Sequence, residues 1–260
     1  MSNTSSRNLM TCALGGNGLL DLDSRIYIED IQEDVTIDQE TAKRALYGIH
    51  PLTNPMHQSI SITVTFMVKE RDRAARMAVI QKVRGWAGNG WFTTNIRPTQ
   101  RIYVYCTKPP KFETFDWKAR MDIQFTAYGE AYWQDITPVT VASTSAAASA
   151  TKTITPAGTE NCFLEAEITP SGGSLTTVNI TVGSQHLKLE GLSVASGATL
   201  SIYYDEHHLL HIESGNTHLL NNRTGDSSDD IILSAGAANS VSLTFNRACS
   251  YTLKARGLWK

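Results

Sequence analysis

The strongest signal in the chain is a period-two run. Across residues 60–68, Ile60, Ile62, Val64, Phe66 and Val68 alternate with Ser61, Thr63, Thr65 and Met67. Successive strand side chains point to opposite faces, so this pattern predicts a β-strand buried on one face. The period then changes. Ala75, Val79, Val83 and Trp86 recur at helical spacing, with Met77 and Ile80 widening the stripe. That predicts an amphipathic helix over 71–86, ended by Gly85 or Gly88. Asn89-Gly90 marks a tight turn. Further strands are expected at 25–31, 101–107, 112–120 and 121–128, with Lys108-Pro109-Pro110-Lys111 as a turn before the third. The polar stretch 36–46 reads as helical and 50–55 as a loop. One helix against a mostly antiparallel sheet implies an α+β or helix-flanked sandwich unit.

The second half alternates in shorter runs. They fall at 162–168, 177–182, 186–189, 198–204, 207–213, 241–245 and 250–255, separated by turns such as Ser171-Gly172-Gly173-Ser174. Seven short strands with Gly, Ser and Asn between them predict an antiparallel sandwich or jelly roll. Between the halves, 141–153 is almost wholly Ala, Ser and Thr. It has no apolar face with which to offset the entropy of ordering. The expectation is a linker at 134–156 between domains at 1–133 and 157–260; the alternative is a lone edge strand, since Thr and Val favour extended backbone.

Composition sharpens this division. The chain has 260 residues, 41% hydrophobic and 18% charged, below the charged share of about 25% in ordinary globular chains. Residues 1–133 hold 16 Lys/Arg and 14 Asp/Glu, whereas 134–260 hold 7 and 11. Net charge is −2 with no basic stripe, which argues against a nucleic-acid binder. No run reaches the ~18 apolar residues of a membrane span. The polar start, MSNTSSRNLM, leads into no apolar signal core, so the expectation is a chain made and kept in a cytoplasm. Cys12, Cys106, Cys162 and Cys249 form no Cys-x-x-Cys pair and read as buried small hydrophobes.

Candidate chemistry is sparse. His207 and His211 have the spacing of a helical zinc-protease pair, but His208 stands where that motif needs Glu. On a strand the two would lie about 13 Å apart. Asp226, Asp229 and Asp230 lack the ligand spacing of a calcium loop. Glu165 and Glu167 share one strand face, expected to be solvated. Gly15-Gly16-Asn17-Gly18 lacks the Lys-Ser/Thr end of a phosphate loop. No Ser stands in a nucleophile elbow. The expectation is no enzyme, with no catalytic, cofactor or metal site.

The aromatic stretch Phe125-Thr126-Ala127-Tyr128-Gly129-Glu130-Ala131-Tyr132-Trp133 closes the first half. Before it stand the strand, the helix ending in Gly-Trp and the paired strands; after it come the linker and the sandwich. This order resembles the distal tail protein family of long-tailed siphophages. Gly236, Asn239 and 241–245 resemble the family's Gly-x-Asn-x-hydrophobic penultimate strand, and the sequence YTLKARGLW at 251–259 resembles its final one. The resemblance implies a mainly β, two-domain chain. Its N-terminal domain would be a helix-flanked antiparallel β-sandwich or split barrel resembling tail-tube proteins, and its C-terminal domain a galectin-like antiparallel β-sandwich. It implies a structural role in the virion: a homo-hexameric ring at the tail tip, assembled in the host bacterial cytoplasm. That ring would join the tail tube protein to the baseplate hub, to fibre or tail-associated proteins, and to a receptor-binding protein. Neither nucleic acid nor membrane insertion is implied.

A ring needs two different patches on each subunit, meeting head to tail. The expected sources are Ile60, Ile62, Val64 and Phe66, pairing across subunits, and Pro51, Leu52 and Pro55, reaching a neighbour. The galectin-like reading carries an alternative function, a carbohydrate-binding module of a tail adhesin at the host surface. His218, Asn222 and Arg223 would be its sugar contacts; their residue types fit, but their spacing does not alternate.

Overall fold

A computed structural model describes residues 10–44, 48–114, 117–127 and 131–260, with side chains described outside 36–58 and 109–114. The chain is mainly β and divides into two units, Met1–Trp133 and Gln134–Lys260. The first unit contains β1 (Cys12–Leu14), β2 (Asn17–Gly18), β3 (Ile26–Arg44), β4 (Gly48–Lys69), α1 (Arg73–Trp86), β5 (Asn89–Thr94), β6 (Arg97–Thr114) and β7 (Lys118–Ala127). They form an antiparallel sheet ordered β2-β1-β5-β6-β7-β4-β3.

The period-two run explains the centre of this sheet. Ile60, Ile62, Val64, Phe66 and Val68 are all but fully buried. Register sets them beside Ala127, Phe125, Ile123, Met121 and Ala119 of β7. The helix adds Val79, Ile80, Val83 and Trp86, and the Trp86 ring meets Phe125 edge-on at 5.8 Å. Each such large apolar side chain contributes about 1.5–3 kcal/mol by burial. The helix begins where Asp72 Oδ1 accepts from the Ala74 N–H at 2.9 Å, a cap worth about 1 kcal/mol. It ends as the Ala87 N–H reaches back to the Val83 carbonyl, one residue before Gly88.

Three expectations about this unit are corrected. The stretch 36–46 is not helical: its described part belongs to β3, which pairs with β4 from Ile26↔Val68 to Arg44↔Gly48. Thr36, Ile37 and Thr41 are β-branched, which favours strand over helix. The expected loop at 50–55 lies inside β4. Gln39 pairs with Met56 and Thr41 with Pro51, so 52–55 fall in a register shift. Proline has no N–H for a ladder, and a bulge tolerates it. Likewise β6 runs through Pro109-Pro110, with shifts between Cys106 and Lys111, and the chain reverses later, between Thr114 and Lys118. β4 meets β7 only from Ile60 to Lys69. The first half of β4 and the β3 residues opposite it therefore form a two-stranded ribbon, with no third strand among the described residues.

β8 (Trp133–Asp135) spans the division. The second unit continues with β9 (Val139–Ala142), β10 (Ala147–Ile154), β11 (Cys162–Pro170), β12 (Val178–Val182), β13 (Gln185–Leu189), β14 (Leu200–Tyr204), β15 (Leu210–Ser214), β16 (Thr217–His218), β17 (Ile232–Leu233), β18 (Asn239–Ala255) and β19 (Leu258–Trp259). Its main sheet is ordered β13-β12-β18-β11-β14-β15-β16. The two strands expected at 241–245 and 250–255 are one: β18 pairs first with β12 and then with β11. Val241, Leu243 and Phe245, then Cys249, Tyr251, Leu253 and Ala255, keep one parity and all are buried.

The segment 134–156 is not a bare linker. β10 pairs with β18 from Ile154↔Asn239 to Ser149↔Thr244, and β9 pairs with it from Val139↔Ala255 to Ala142↔Thr252. Most of its strand side chains are exposed or half-buried. The backbone ladder holds this segment, not apolar burial, so a composition without a hydrophobic face is still ordered. Among the described residues, no helix is long and apolar enough to cross a membrane.

Candidate functional site

The apolar residues expected at a subunit seam lie elsewhere. Ile60, Ile62, Val64 and Phe66 are at most 1% exposed, inside the core of their own unit. β4 also has a strand on either side over this stretch. These four are core residues, and nothing of them reaches a surface. Pro51, Leu52 and Pro55 lie in the ribbon part of β4, and their side chains are outside the described residues.

The face of the sheet opposite α1 carries a different feature. Phe92, Ile102 and Val104 take the core side of β5 and β6, so Trp91, Tyr103 and Tyr105 point the other way. Trp91 meets Tyr103 edge-on at 5.4 Å, and Tyr103 meets Tyr105 at 5.6 Å. The Arg101 guanidinium lies 4.0 Å from the Trp91 ring centre, and Asn89 Nδ2 donates to the Tyr103 hydroxyl at 3.2 Å. The three rings and Arg101 are half-buried. Aromatic rings with arginine are the side chains enriched in the cores of protein interfaces. Sequence reading missed this ladder, although its alternation with Ile102 and Val104 was there to see.

Ion pairs tie other parts of the first unit together. Asp23 accepts from Arg25 Nε at 2.8 Å and from Lys82 Nζ at 3.1 Å, and Arg25 Nη1 also donates to Glu70 at 2.8 Å. The Arg25 guanidinium holds the Asp23 carboxyl well below the usual range, and it lowers Glu70 as well. Trp133, named in the closing aromatic stretch, donates its indole N–H to Glu33 at 2.9 Å, under the Arg97 guanidinium.

In the second unit the three expected sugar contacts do not form one donor set. His218 Nδ1 sits 2.8 Å from Glu213 Oε1. Asn222 Nδ2 donates to the Glu190 and Gly191 carbonyls at 2.9 and 3.0 Å. Arg223 holds the Asp229 carboxylate at 3.0 Å. Asn222 and Arg223 thus tie down loops. The histidine run is a turn: the N–H groups of His207 and Leu209 both donate to Asp205 Oδ1 at 2.9 Å. Burial pushes the Asp205 carboxyl upward, but these N–H groups and His211 outweigh it and hold it low. Among the described residues no three His, Cys, Asp or Glu side chains cluster as metal ligands. Burial pushes the Cys12 and Cys162 thiols up to about 12 and Cys249 to about 11.

No family model and no curated protein matches this chain. Among solved structures it is similar to SPP1 Dit (gp 19.1), presented as a paradigm of the hub adsorption apparatus in phages infecting Gram-positive bacteria. That alignment covers 96% of this chain and 99% of the other, with a TM-score of 0.67 at 12% identity. Two phage P2 baseplate structures in the activated conformation, with Ca and with Sr, cover 90% and 96% of this chain and 90% and 98% of theirs. Their TM-scores are 0.46 and 0.47, at 8% and 9% identity. The alignment with SPP1 Dit gives the chain the fold of that hub protein, mainly β and in two units, as the sequence resemblance implied.

Proposed function

We propose that this chain is a distal tail protein, a structural component that forms a ring at a phage tail tip and joins the tail tube to the baseplate hub. The observation that carries this reading is the alignment with SPP1 Dit over both units rather than one. The partners proposed are further copies of the chain in a six-membered ring, a tail tube protein, a hub, fibre or tail-associated protein, and a receptor-binding protein. Assembly would take place in the host bacterial cytoplasm. The proposal includes no catalytic role. In its support, burial holds the thiols protonated at neutral pH, the reverse of an activated nucleophile.

Two patches are assigned to the ring seam. One is the β3–β4 ribbon, because a lone two-stranded ribbon is marginal in water and gains from a partner surface. The other is the Trp91–Tyr103–Tyr105 face of the next subunit. The test of the role is to size the full-length protein by light scattering and image it by electron microscopy, alone and with the tube protein. Six-fold rings are expected. Monomers under both conditions would overturn the reading.

A further inference from the structure

We propose that a groove beside the end of α1 is the socket for the β3–β4 ribbon end of a second copy. The inference rests on the ring reading and adds a contact that the aromatic face alone does not supply. The groove has a volume of about 630 Å³. Leu14, Leu22 and Trp86 give it apolar walls, and Gly15, Gly85 and Gly88 leave its floor without side chains. No atom lies within 4 Å of where a Cβ would stand on Gly15 or Gly85. The walls are fixed. The Trp86 indole N–H donates to the Asn17 carbonyl at 2.8 Å, and the Gly15 N–H donates to the Trp91 carbonyl at 2.9 Å. A preformed hollow of this size beside apolar side chains has the form of a binding site.

Topology, continuity and charge select the occupant. In the sheet order β2-β1-β5-β6-β7-β4-β3, the groove belongs to the β1–β2 edge and the ribbon to the β3–β4 edge. A head-to-tail contact joins two different patches, and opposite edges of one sheet place them on opposite sides of the subunit. Asn89 joins the groove to the aromatic face: it lines the one, and its Nδ2 donates to Tyr103 on the other at 3.2 Å. A ribbon that crosses the aromatic face therefore leads to the groove. From Thr36 to Arg44 it spans about 25 Å, several times the strand spacing it has to cross. The groove favours a cation. Lys82, on its wall, is held by Asp23 at 3.1 Å. The Asp21 carboxylate is exposed against Gly18, beside the lining residue Asn17. The Gly85 and Trp86 carbonyls, in the last turn of α1, accept nothing within the helix and carry the negative end of its dipole. The ribbon end has the matching chemistry. Its last pairs are Lys43↔Ile49 and Arg44↔Gly48, and Ala45-Leu46-Tyr47 joins them in sequence. Two cations with Leu46 and Tyr47 suit a groove with apolar walls and an acidic rim.

Photo-cross-linking of the full-length protein tests it, with Leu46→p-benzoylphenylalanine as the probe and an isotope-labelled copy mixed in to identify bonds between chains. Mass spectrometry should find residue 46 of one copy bonded within 14–22 or 82–89 of another. Gly85→Leu fills the groove from a helical position and should lower the yield of that bond by at least about tenfold. Lys43→Glu combined with Arg44→Glu should lower it as well. Ala78→Leu, exposed on α1 outside the groove, should not. Circular dichroism confirms that each variant is folded. Bonds to other surfaces only, no bond between copies, or a groove bond that survives Gly85→Leu overturns the inference. Light scattering reads ring formation separately. Rings with the bond elsewhere remove this contact and leave the hub reading standing, whereas a groove bond between copies that never close into rings keeps the contact and removes the ring.

Discussion

Asp23 links three parts of the first unit through one carboxylate: its own turn, Arg25 before β3, and Lys82 on α1. Its folded pKa is depressed by Arg25. A depressed acid stabilises the fold above its unfolded pKa, and that contribution is lost as pH falls through the folded value. The wild-type melting temperature should therefore drop as pH falls below about 4, the ordinary carboxylate value. Asp23→Asn should melt lower at neutral pH and lose less over the acid window. Melting curves across that range check it, and parallel curves would count against the pair. Backbone geometry gives a second residue-scale prediction. Gly158 has φ +109°, and a Cβ there would strike the backbone of Leu258. Gly183 has φ +58° and open space around it. Gly183→Ala should cost about 1–2 kcal/mol for the left-handed conformation alone, and Gly158→Ala distinctly more. Chemical denaturation measures both; equal losses would mean that the strand at Leu258 yields.

At the scale of elements, the same reasoning separates what a strand needs from what it buries. The β9–β10 segment is held by its ladder to β18, so limited proteolysis should spare 147–154, although its composition is that of a linker. Early cleavage there would return it to linker status. The ribbon makes the opposite prediction. Replacing 37–58 by a short Gly-rich turn removes no strand that β7 pairs with, since β7 begins at Ile60 on β4. The shortened protein should stay folded, with nearly unchanged melting, and fail to form rings. Elements whose apolar face is buried were legible in the sequence: the strand at 60–68, the helix with Val79 and Val83, and the alternating runs of the second unit. The prolines misled because Pro reads as a turn, whereas here both Pro segments sit at bulges within long strands. The Ala/Ser/Thr segment misled because backbone pairing leaves no mark in side-chain hydrophobicity. Residues 60, 62, 64 and 66 were legible as a buried face, but a sequence cannot say whether a face is buried by its own chain or by a neighbour.

At the scale of the whole molecule, a closed ring depends on each subunit carrying both halves of one contact. If the ribbon of one copy docks on the aromatic face of the next, the two halves can be removed separately. The ribbon-shortened variant keeps the aromatic face. A Trp91→Ser, Tyr103→Ser double variant keeps the ribbon and changes only half-buried side chains. Each variant alone should be monomeric under conditions in which the wild type assembles as proposed. Mixed in equal amounts, they retain one complete contact between them: the ribbon from one and the face from the other. That contact can join two chains but cannot propagate, because the outer end of each chain then presents its damaged half. The mixture should therefore stop at a one-to-one dimer, which light scattering distinguishes from both monomer and ring. A monomeric mixture would mean that the two patches do not meet, and rings from either variant alone would place the seam on another surface.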